Sequence, residues 1–351
     1  MNNEKTFVIL TPGFPSSEDD TTCLPMQQNL VRKLREICPG LKIIVLSFQY
    51  PYHKKAYTWH DVSVMPFNGK NKGGLRKLLL RNQINSVLKK INSDRGIDGL
   101  LSFWCNECAW IGKKFADAYN LKHRCWILGQ DAKKQNTYPR RLKPDDSELI
   151  ALSDFVRDEF QKNHGIRPSY TVPAAIDPLE FDKYERSKDI DIVGSGSLIP
   201  LKQYDVFVEI VSAIQKTLPG VKALLIGDGP ERRNLAGMIK KLGLGDNLLF
   251  TGELPHQQVL AFMERASLFL HPSSYEGFGV VCLEALYARA HVISFCKPMK
   301  NEIPQWYTVK GKEAMLEKAL TLLRNGSLKL ERVLPYSIAD QAYKILEIFA
   351  I

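Results

Sequence analysis

No stretch of this 351-residue chain approaches the roughly 18 consecutive apolar residues needed to cross a bilayer. The early run Thr6 to Leu10 is too short for the apolar core of a signal peptide. Neither a membrane span nor export is therefore expected. Cysteine is sparse: seven residues, at 23, 38, 105, 108, 125, 282 and 296, form an odd set scattered along a long chain. That pattern argues against a disulfide framework and for a reducing compartment, so a cytoplasmic location is expected. Cys105 and Cys108 have neither a second pair nor clustered His beside them, and they read as buried thiols rather than half of a zinc site. Low-complexity tracts and short internal repeats are missing as well. The basic residues do not interleave with aromatics as a base-stacking surface would require, and no nucleic-acid partner is expected.

What is present is a chain that is 44% apolar and 25% charged, with a net charge of +10. Its length exceeds one typical hydrophobic core, so two domains are expected. The positive balance suits anions, a nucleoside diphosphate, nucleic acid or the anionic face of a membrane, and composition does not choose among them.

Short β-branched runs bounded by Gly, Pro, Asn or Asp alternate with segments of helical period, the pattern of parallel α/β layers. The first half reads as strands at Thr6–Leu10, Leu41–Phe48, Val62–Phe67, Gly99–Trp104, Arg124–Leu128 and Leu149–Leu152. Helices are expected at Gln27–Ile37, Leu75–Ile91 and Glu107–Tyr119. In the second half the strands fall at Ile190–Val193, Ala223–Ile226, Leu248–Thr251, Leu268–Leu270 and Val292–Phe295. The expected organisation is an N-terminal Rossmann-like domain over 1–172, a Pro-containing linker over 173–188, a second such domain over 189–334, and a C-terminal helix in 335–351 returning to the first.

The stretch that carries most chemistry follows the strand Leu268–Leu270 and runs His271-Pro-Ser-Ser-Tyr-Glu276-Gly277-Phe278-Gly279-Val-Val-Cys-Leu-Glu284-Ala285. It reads strand, loop, helix. In parallel sheets ligands bind beyond the carboxyl ends of strands, and a loop with Gly277 and Gly279 aims backbone N–H groups at a phosphate. Glu276 then lies in the loop and Glu284 about two turns into the helix. Taken alone, the pair fits a helix-initiating turn and a solvated glutamate equally well. Leu224-Leu-Ile-Gly227-Asp228-Gly229-Pro230-Glu231 is likewise strand, tight turn and helix start, with Pro230 suited to the first helical position.

Taken in order, these segments resemble the C-terminal domain of GT-B-fold retaining glycosyltransferases of family 4, also called group 1. Gly194 to Lys202 is similar to the family's first phosphate loop. Gly227 to Glu231 matches its Gly-Asp-Gly-Pro-Glu turn, Phe250-Thr251-Gly252 its base-proximal strand end, and Glu276 to Glu284 its Glu-x7-Glu element. The resemblance covers about a hundred residues. It implies two Rossmann-like domains facing each other across a cleft. It implies a UDP- or GDP-sugar donor, with hexose transfer to a glycan or lipid-linked glycan of the cell surface. No cofactor or metal is implied, and no Asp-x-Asp site is present. Lys202 would stabilise the departing diphosphate with the backbone of Gly277, Phe278 and Gly279. Glu276 would bind sugar hydroxyls at the reacting centre, and Glu284 the ribose. Ser197, Gly227, Gly229 and Thr251 would line the donor.

There are departures. Ser197 stands where many relatives carry Arg, so a second phosphate cation is missing from that position. Thr11-Pro12-Gly13-Phe14-Pro15 replaces the usual Gly-Gly loop, leaving Gly13 to approach the donor or simply to turn. Asp131, after Arg124–Leu128, falls where relatives place a His or acid near the donor sugar, and is a catalytic candidate on that ground. Arg289, near a helix end, reads as a surface residue. The segment Leu75–Ile91 carries Arg76, Lys77, Arg81, Lys89 and Lys90 beside Leu75, Leu78, Leu79, Ile84, Val87, Leu88 and Ile91, a basic amphipathic helix able to lie on an anionic membrane. Two other readings stand beside the leading one: a transferase with a soluble small-molecule or protein acceptor, and a non-catalytic nucleotide-sugar-binding scaffold.

Overall fold

The computed structural model describes residues 5–182, 186–324 and 329–351. The chain divides into two compact units, Met1–Ala174 with Ile338–Ile351, and Ala175–Ser337. Residues 183–185 of the expected linker lie outside the described residues.

In the first unit the elements in chain order are β1 (Thr6–Gly13), α1 (Pro25–Ile37), β2 (Lys42–Tyr50), β3 (Tyr57–Trp59), β4 (Val62–Pro66), α2 (Leu75–Arg95), β5 (Gly99–Phe103), α3 (Glu107–Tyr119), β6 (His123–Ile127), α4 (Tyr138–Leu142), β7 (Leu149–Ala151), α5 (Asp154–His164) and β8 (Tyr170–Thr171). The sheet order is β3-β4-β2-β1-β5-β6-β7-β8. Only β3 runs antiparallel to its neighbour, and it was not visible as a strand in the sequence because three residues carry no periodicity. The central strands are apolar on both faces, with Phe7, Val8, Ile9 and Leu10 fully buried, as a sheet covered on both sides requires. Helix ends follow local chemistry. Ser153 accepts from Val156 N to start α5, and Gly165, in the left-handed region at φ 77°, ends it.

One expectation about α2 is corrected. Its buried seam is Leu80, Ile84, Leu88 and Ile91, spaced four, four and three, whereas Leu75, Leu78 and Leu79 are 71%, 53% and 52% exposed. The sequence reading had merged two faces: one helix carries both a core-facing seam and a separate apolar facet on its first turns.

The second unit contains β9 (Ile190–Ser195), α6 (Tyr204–Gln215), β10 (Ala223–Ile226), α7 (Arg232–Lys241), β11 (Leu248–Gly252), α8 (His256–Arg265), β12 (Ala266–His271), α9 (Val280–Tyr287), β13 (His291–Ser294), β14 (Trp306–Thr308) and α10 (Gly311–Arg324). Its six strands, ordered β11-β10-β9-β12-β13-β14, are all parallel. Phe207, Val208, Val211, Leu225, Leu268 and Ile293 are buried together in its core. The last helix, α11 (Ile338–Phe349), belongs to the first unit. There Phe349 meets Phe7 edge to face at 4.8 Å, and Lys122 Nζ donates to Phe349 O at 2.7 Å.

Candidate active site

The order of the second sheet locates the site. From β9 the chain moves outward through β10 to β11, then returns to β12 on the other side of β9 and moves outward again. Loops leaving β9 and β12 therefore diverge, and the crevice between them at the strand ends is where parallel α/β sheets bind ligands. Lys202 arrives on the first of these loops, in a single turn Pro200–Lys202, and Glu276 on the second. The loops are tied together: Ser274 N and Oγ both donate to Leu201 O, at 2.9 and 3.1 Å.

Lys202 Nζ donates to Glu276 Oε1, and His271 Nε2 lies 3.0 Å from the same oxygen. All three side chains are largely buried. Burial alone pushes the Glu276 carboxyl up, but the His271 hydrogen bond and the Lys202 charge outweigh it and hold the group down at about 2. Burial also lowers the basicity of His271, more than its carboxylate neighbour restores it. An ionised carboxylate can only accept, so Nε2 carries the imidazole hydrogen and Nδ1 is the bare nitrogen, buried without a partner. The result is a fixed anion between a cation and a neutral imidazole.

Other groups gather on this edge. The Tyr204 hydroxyl is buried without a hydrogen-bond partner, and a Cβ on Gly196 would come within 2.8 Å of it. Burial, then the Glu276 charge, keeps this phenol protonated. Gly279, at φ 88°, starts α9 with no side-chain cap, leaving helix-terminal N–H groups to face the loop. Gly227 and Gly229 are required by packing. At φ 145° and 156°, a Cβ on the first would lie 1.9 Å from Gly196 O and on the second 2.5 Å from Leu198 O. They let the loop after β10 dock on the loop after β9, where Leu198 N donates to Asp228 O and Glu231 N to Leu198 O. Ser197 is exposed on the same loop. Thr251 donates its hydroxyl to Gly252 O at 2.9 Å. Beside it, Arg232 pairs with Asp228 at 2.8 Å, stands over the Phe250 ring at 5.2 Å and lies against Gly252. Glu284 lies a little over one turn into α9 rather than the expected two, and meets His256 Nε2 at 2.9 Å.

The structure thus brings Lys202, Ser197, Gly227, Gly229, Thr251, Gly277, Gly279, Glu276 and Glu284 onto one edge of one sheet. Phe278 differs in role. Its ring is buried against Trp306 and Tyr336, so its side chain anchors the loop and only its backbone is available to a ligand. Arg289 is corrected: it is buried rather than on the surface, donating Nη2 to Arg186 O at 2.8 Å.

Gly13 and Asp131 lie in the first unit. A Cβ on Gly13 would meet only ordinary contacts at 3.7–3.8 Å, and its φ is not left-handed, so no turn demands glycine there. Asp131, the catalytic candidate of this unit, is committed to backbone. Its buried carboxylate accepts from Cys105 N at 2.7 Å, Leu128 N at 3.0 Å and Gly129 N at 2.8 Å, and it serves as an anchor for two strand-end loops. Burial raises this carboxyl to about 6 against the pull of those N–H groups.

The sequence reading missed His271, His256 and Tyr204. His271 was within reach, as the residue ending the strand that leads into the Glu276 loop. His256 lies 28 positions from Glu284, and nothing in the spacing links them. Among the described residues no group of three or more His, Cys, Asp or Glu could hold a metal ion, and no helix is long and apolar enough to cross a membrane.

In fold the chain is a GT-B protein. It superposes on the pneumococcal O-GlcNAc transferase GtfA, solved with UDP and GlcNAc, with a TM-score of 0.65 over 99% of this chain and 98% of that one, at 14% identity. Residues 177–320, within the second unit, match the family described as glycosyl transferases group 1. Among curated proteins, a 2-deoxystreptamine N-acetyl-D-glucosaminyltransferase of Niallia circulans is 26% identical over 226 residues, 64% of this chain and 51% of that protein. The GtfA subunit of a UDP-N-acetylglucosamine–peptide N-acetylglucosaminyltransferase from Streptococcus parasanguinis is 28% identical over 163 residues, 46% of this chain and 31% of that protein. The chain spans about half or less of the length of these relatives.

Proposed function

We propose that this protein is a retaining, metal-independent glycosyltransferase that moves N-acetylglucosamine or a related hexose from a UDP-sugar to a glycan or lipid-linked glycan acceptor of the cell surface. The observation that carries the reading is the Lys202–Glu276–His271 cluster at the divergence of the β9 and β12 loops. The named activities of the N-acetylglucosaminyl relatives support the choice of sugar.

In this reading the bond between the sugar's anomeric carbon and the diphosphate oxygen breaks, and the acceptor oxygen bonds to the same face of that carbon. The acceptor's proton passes to the leaving phosphate oxygen. Negative charge grows on the diphosphate as the bond lengthens. A cation and oriented N–H groups already in place stabilise that charge without reorganising. Lys202 and the start of α9 supply both. Before donor binds, Lys202 is paired with Glu276, so the arriving diphosphate takes over a share of the Lys202 charge. Glu276, held ionised, accepts from sugar hydroxyls and faces the positive charge developing on the ring. Glu284 accepts from the ribose hydroxyls through the oxygen not used by His256. Arg232 is the second cation near the donor that Ser197 does not provide, and Tyr204 turns its free hydroxyl to a phosphate oxygen.

The test is release of UDP or GDP from a panel of sugar nucleotides in EDTA, with thermal shift on the same panel. Turnover and stabilisation by UDP-N-acetylglucosamine, both weakened in Lys202→Ala, are expected. Failure of every sugar nucleotide to stabilise the protein overturns the reading.

A further inference from the structure

Glu284 reaches the site already held by a neighbour, and the way it is held bears on which donors the site takes. His256 is the first residue of α8, directly after Pro255, which occupies the cap position at φ −55° and ψ 142°. Val259, Leu260 and Met263, at i+3, i+4 and i+7 from His256, are buried, so His256 lies on the face by which α8 packs. On α9 the residues either side of Glu284, Leu283 and Ala285, are fully buried. Apolar packing therefore fixes both backbones.

The two side chains meet at 2.9 Å, His256 Nε2 to Glu284 Oε1, and only 19% and 13% of their surfaces are exposed. A carboxylate accepts and does not donate, so the imidazole hydrogen is on Nε2. Glu284 Oε2 accepts from no group among the described residues. The pair also joins two elements of the site. Only Glu253, Leu254 and Pro255 separate His256 from the end of β11, the strand end that by resemblance lies near the nucleotide base. Glu284 comes from α9, which starts at the Gly277–Gly279 loop.

We propose that His256 is a positioning residue for Glu284, and that the pair restricts the site to sugar donors built on ribonucleotides and excludes those built on 2′-deoxyribonucleotides. The inference rests on the transferase reading, in which Glu284 accepts from the ribose. A free glutamate side chain loses rotamer freedom when it binds a ligand. One already bonded to a fixed imidazole has lost that freedom beforehand, so ribose binding is spared the cost. With Oε1 engaged by His256, Oε2 is the oxygen turned to the sugar. Adjacent 2′- and 3′-hydroxyls offer it two donors, and a 2′-deoxyribose offers one. Once the nucleotide covers the carboxylate, a lone pair left short of a donor cannot turn to water, and a site built to bond a hydroxyl rejects the analogue that lacks it. Without His256 the carboxylate rotates freely toward solvent and the distinction is lost.

Calorimetric titration of the full chain with UDP and with 2′-deoxy-UDP tests this, because the ratio of the two affinities within one variant cancels any general loss of binding. The parent is expected to bind UDP about 10- to 100-fold more tightly, the range of one hydrogen bond to a charged group. His256→Ala should bring the ratio close to unity, mostly by weakening UDP. His256→Gln, whose amide N–H can stand in for Nε2, should restore most of the preference. Glu284→Ala should remove the preference too, and adding His256→Ala to it should change the ratio no further, as coupling through one contact requires. Binding of both nucleotides with no preference in the parent, or a preference that survives His256→Ala, overturns the inference and leaves the transferase reading standing. Absence of binding by either nucleotide overturns that reading and this inference with it.

Discussion

Two carboxylates lie just past strand ends, Asp131 buried in the first unit and Glu276 largely buried in the second, and they are held by opposite means. Asp131 is surrounded by backbone: three N–H groups approach it and, among the described residues, no cation forms an ion pair with it, so burial wins and its carboxyl rises to about 6. Glu276 has two side-chain partners, one neutral imidazole and one lysine, and these outweigh burial to bring it to about 2. Fixed dipoles at Asp131 build a scaffold. Movable side chains at Glu276 suit the proposed site, because a lysine can exchange one anion for another when a ligand arrives.

The sharpest way to break this comparison is to measure catalysis at both positions. Lys202→Ala and Glu276→Gln are expected to lower sugar-nucleotide turnover by roughly 10²–10³-fold, the usual loss when a preorganised electrostatic contact is removed. Equal losses in Asp131→Asn would erase the distinction. The converse measurement is stability. Asp131→Ala strands buried N–H groups at about 1–3 kcal/mol each, so it should unfold at clearly lower urea than the parent. Glu276→Gln, which changes a group bonded to the Lys202 and His271 side chains, should shift the midpoint far less.

Acidity sharpens the contrast further, because the two signs differ. The folded carboxyl of Glu276 lies below its ordinary value of 4.5. Its stabilisation is therefore complete above about pH 4.5 and lost as pH falls toward 2. That of Asp131 lies above its ordinary 3.8, so its contribution is complete below that value and fades as pH rises through about 6. Melting temperatures of the parent minus Glu276→Gln should thus shrink on acidification, while those of the parent minus Asp131→Asn should shrink on going from pH 4 to 7. The smallest expected effect is at Tyr204. Removing its unpartnered hydroxyl in Tyr204→Phe should leave the donor-free protein as stable or slightly more so, and weaken sugar-nucleotide binding by about tenfold or less, the range of one hydrogen bond. Unchanged affinity by calorimetry would exclude a phosphate contact from that hydroxyl.

The parallel α/β character of both halves was legible because it rests on periodicity. Buried strands such as Phe7 to Leu10 and Leu224 to Ile226 are short, continuous apolar runs, and sequence displays such runs directly. The Gly-rich segments were legible for a related reason: only glycine accommodates φ near 150° against a neighbouring carbonyl, as at Gly227 and Gly229. Short edge strands such as β3 and β14, with three residues each, were not, since their conformation comes from pairing rather than from their own pattern. The two apolar facets of α2 were merged for a similar reason. Composition gives the leucines, but only the position of the sheet says which of them it covers.

The sequence by itself determined the local elements and the positions of the chemistry-bearing loops, because these follow from residue type and spacing along a chain; the resemblance to a known family is what singled out Lys202, Glu276 and Glu284 within them. Tertiary structure decided the pairings: His271 and Lys202 on Glu276, His256 on Glu284, three backbone N–H groups on Asp131, and a buried Arg289. Each joins groups brought together by the fold, and the charge states of Glu276 and Asp131 and the burial of Arg289 follow from it. Those are properties of distance and dielectric, which depend on neighbours in space and not on neighbours in sequence.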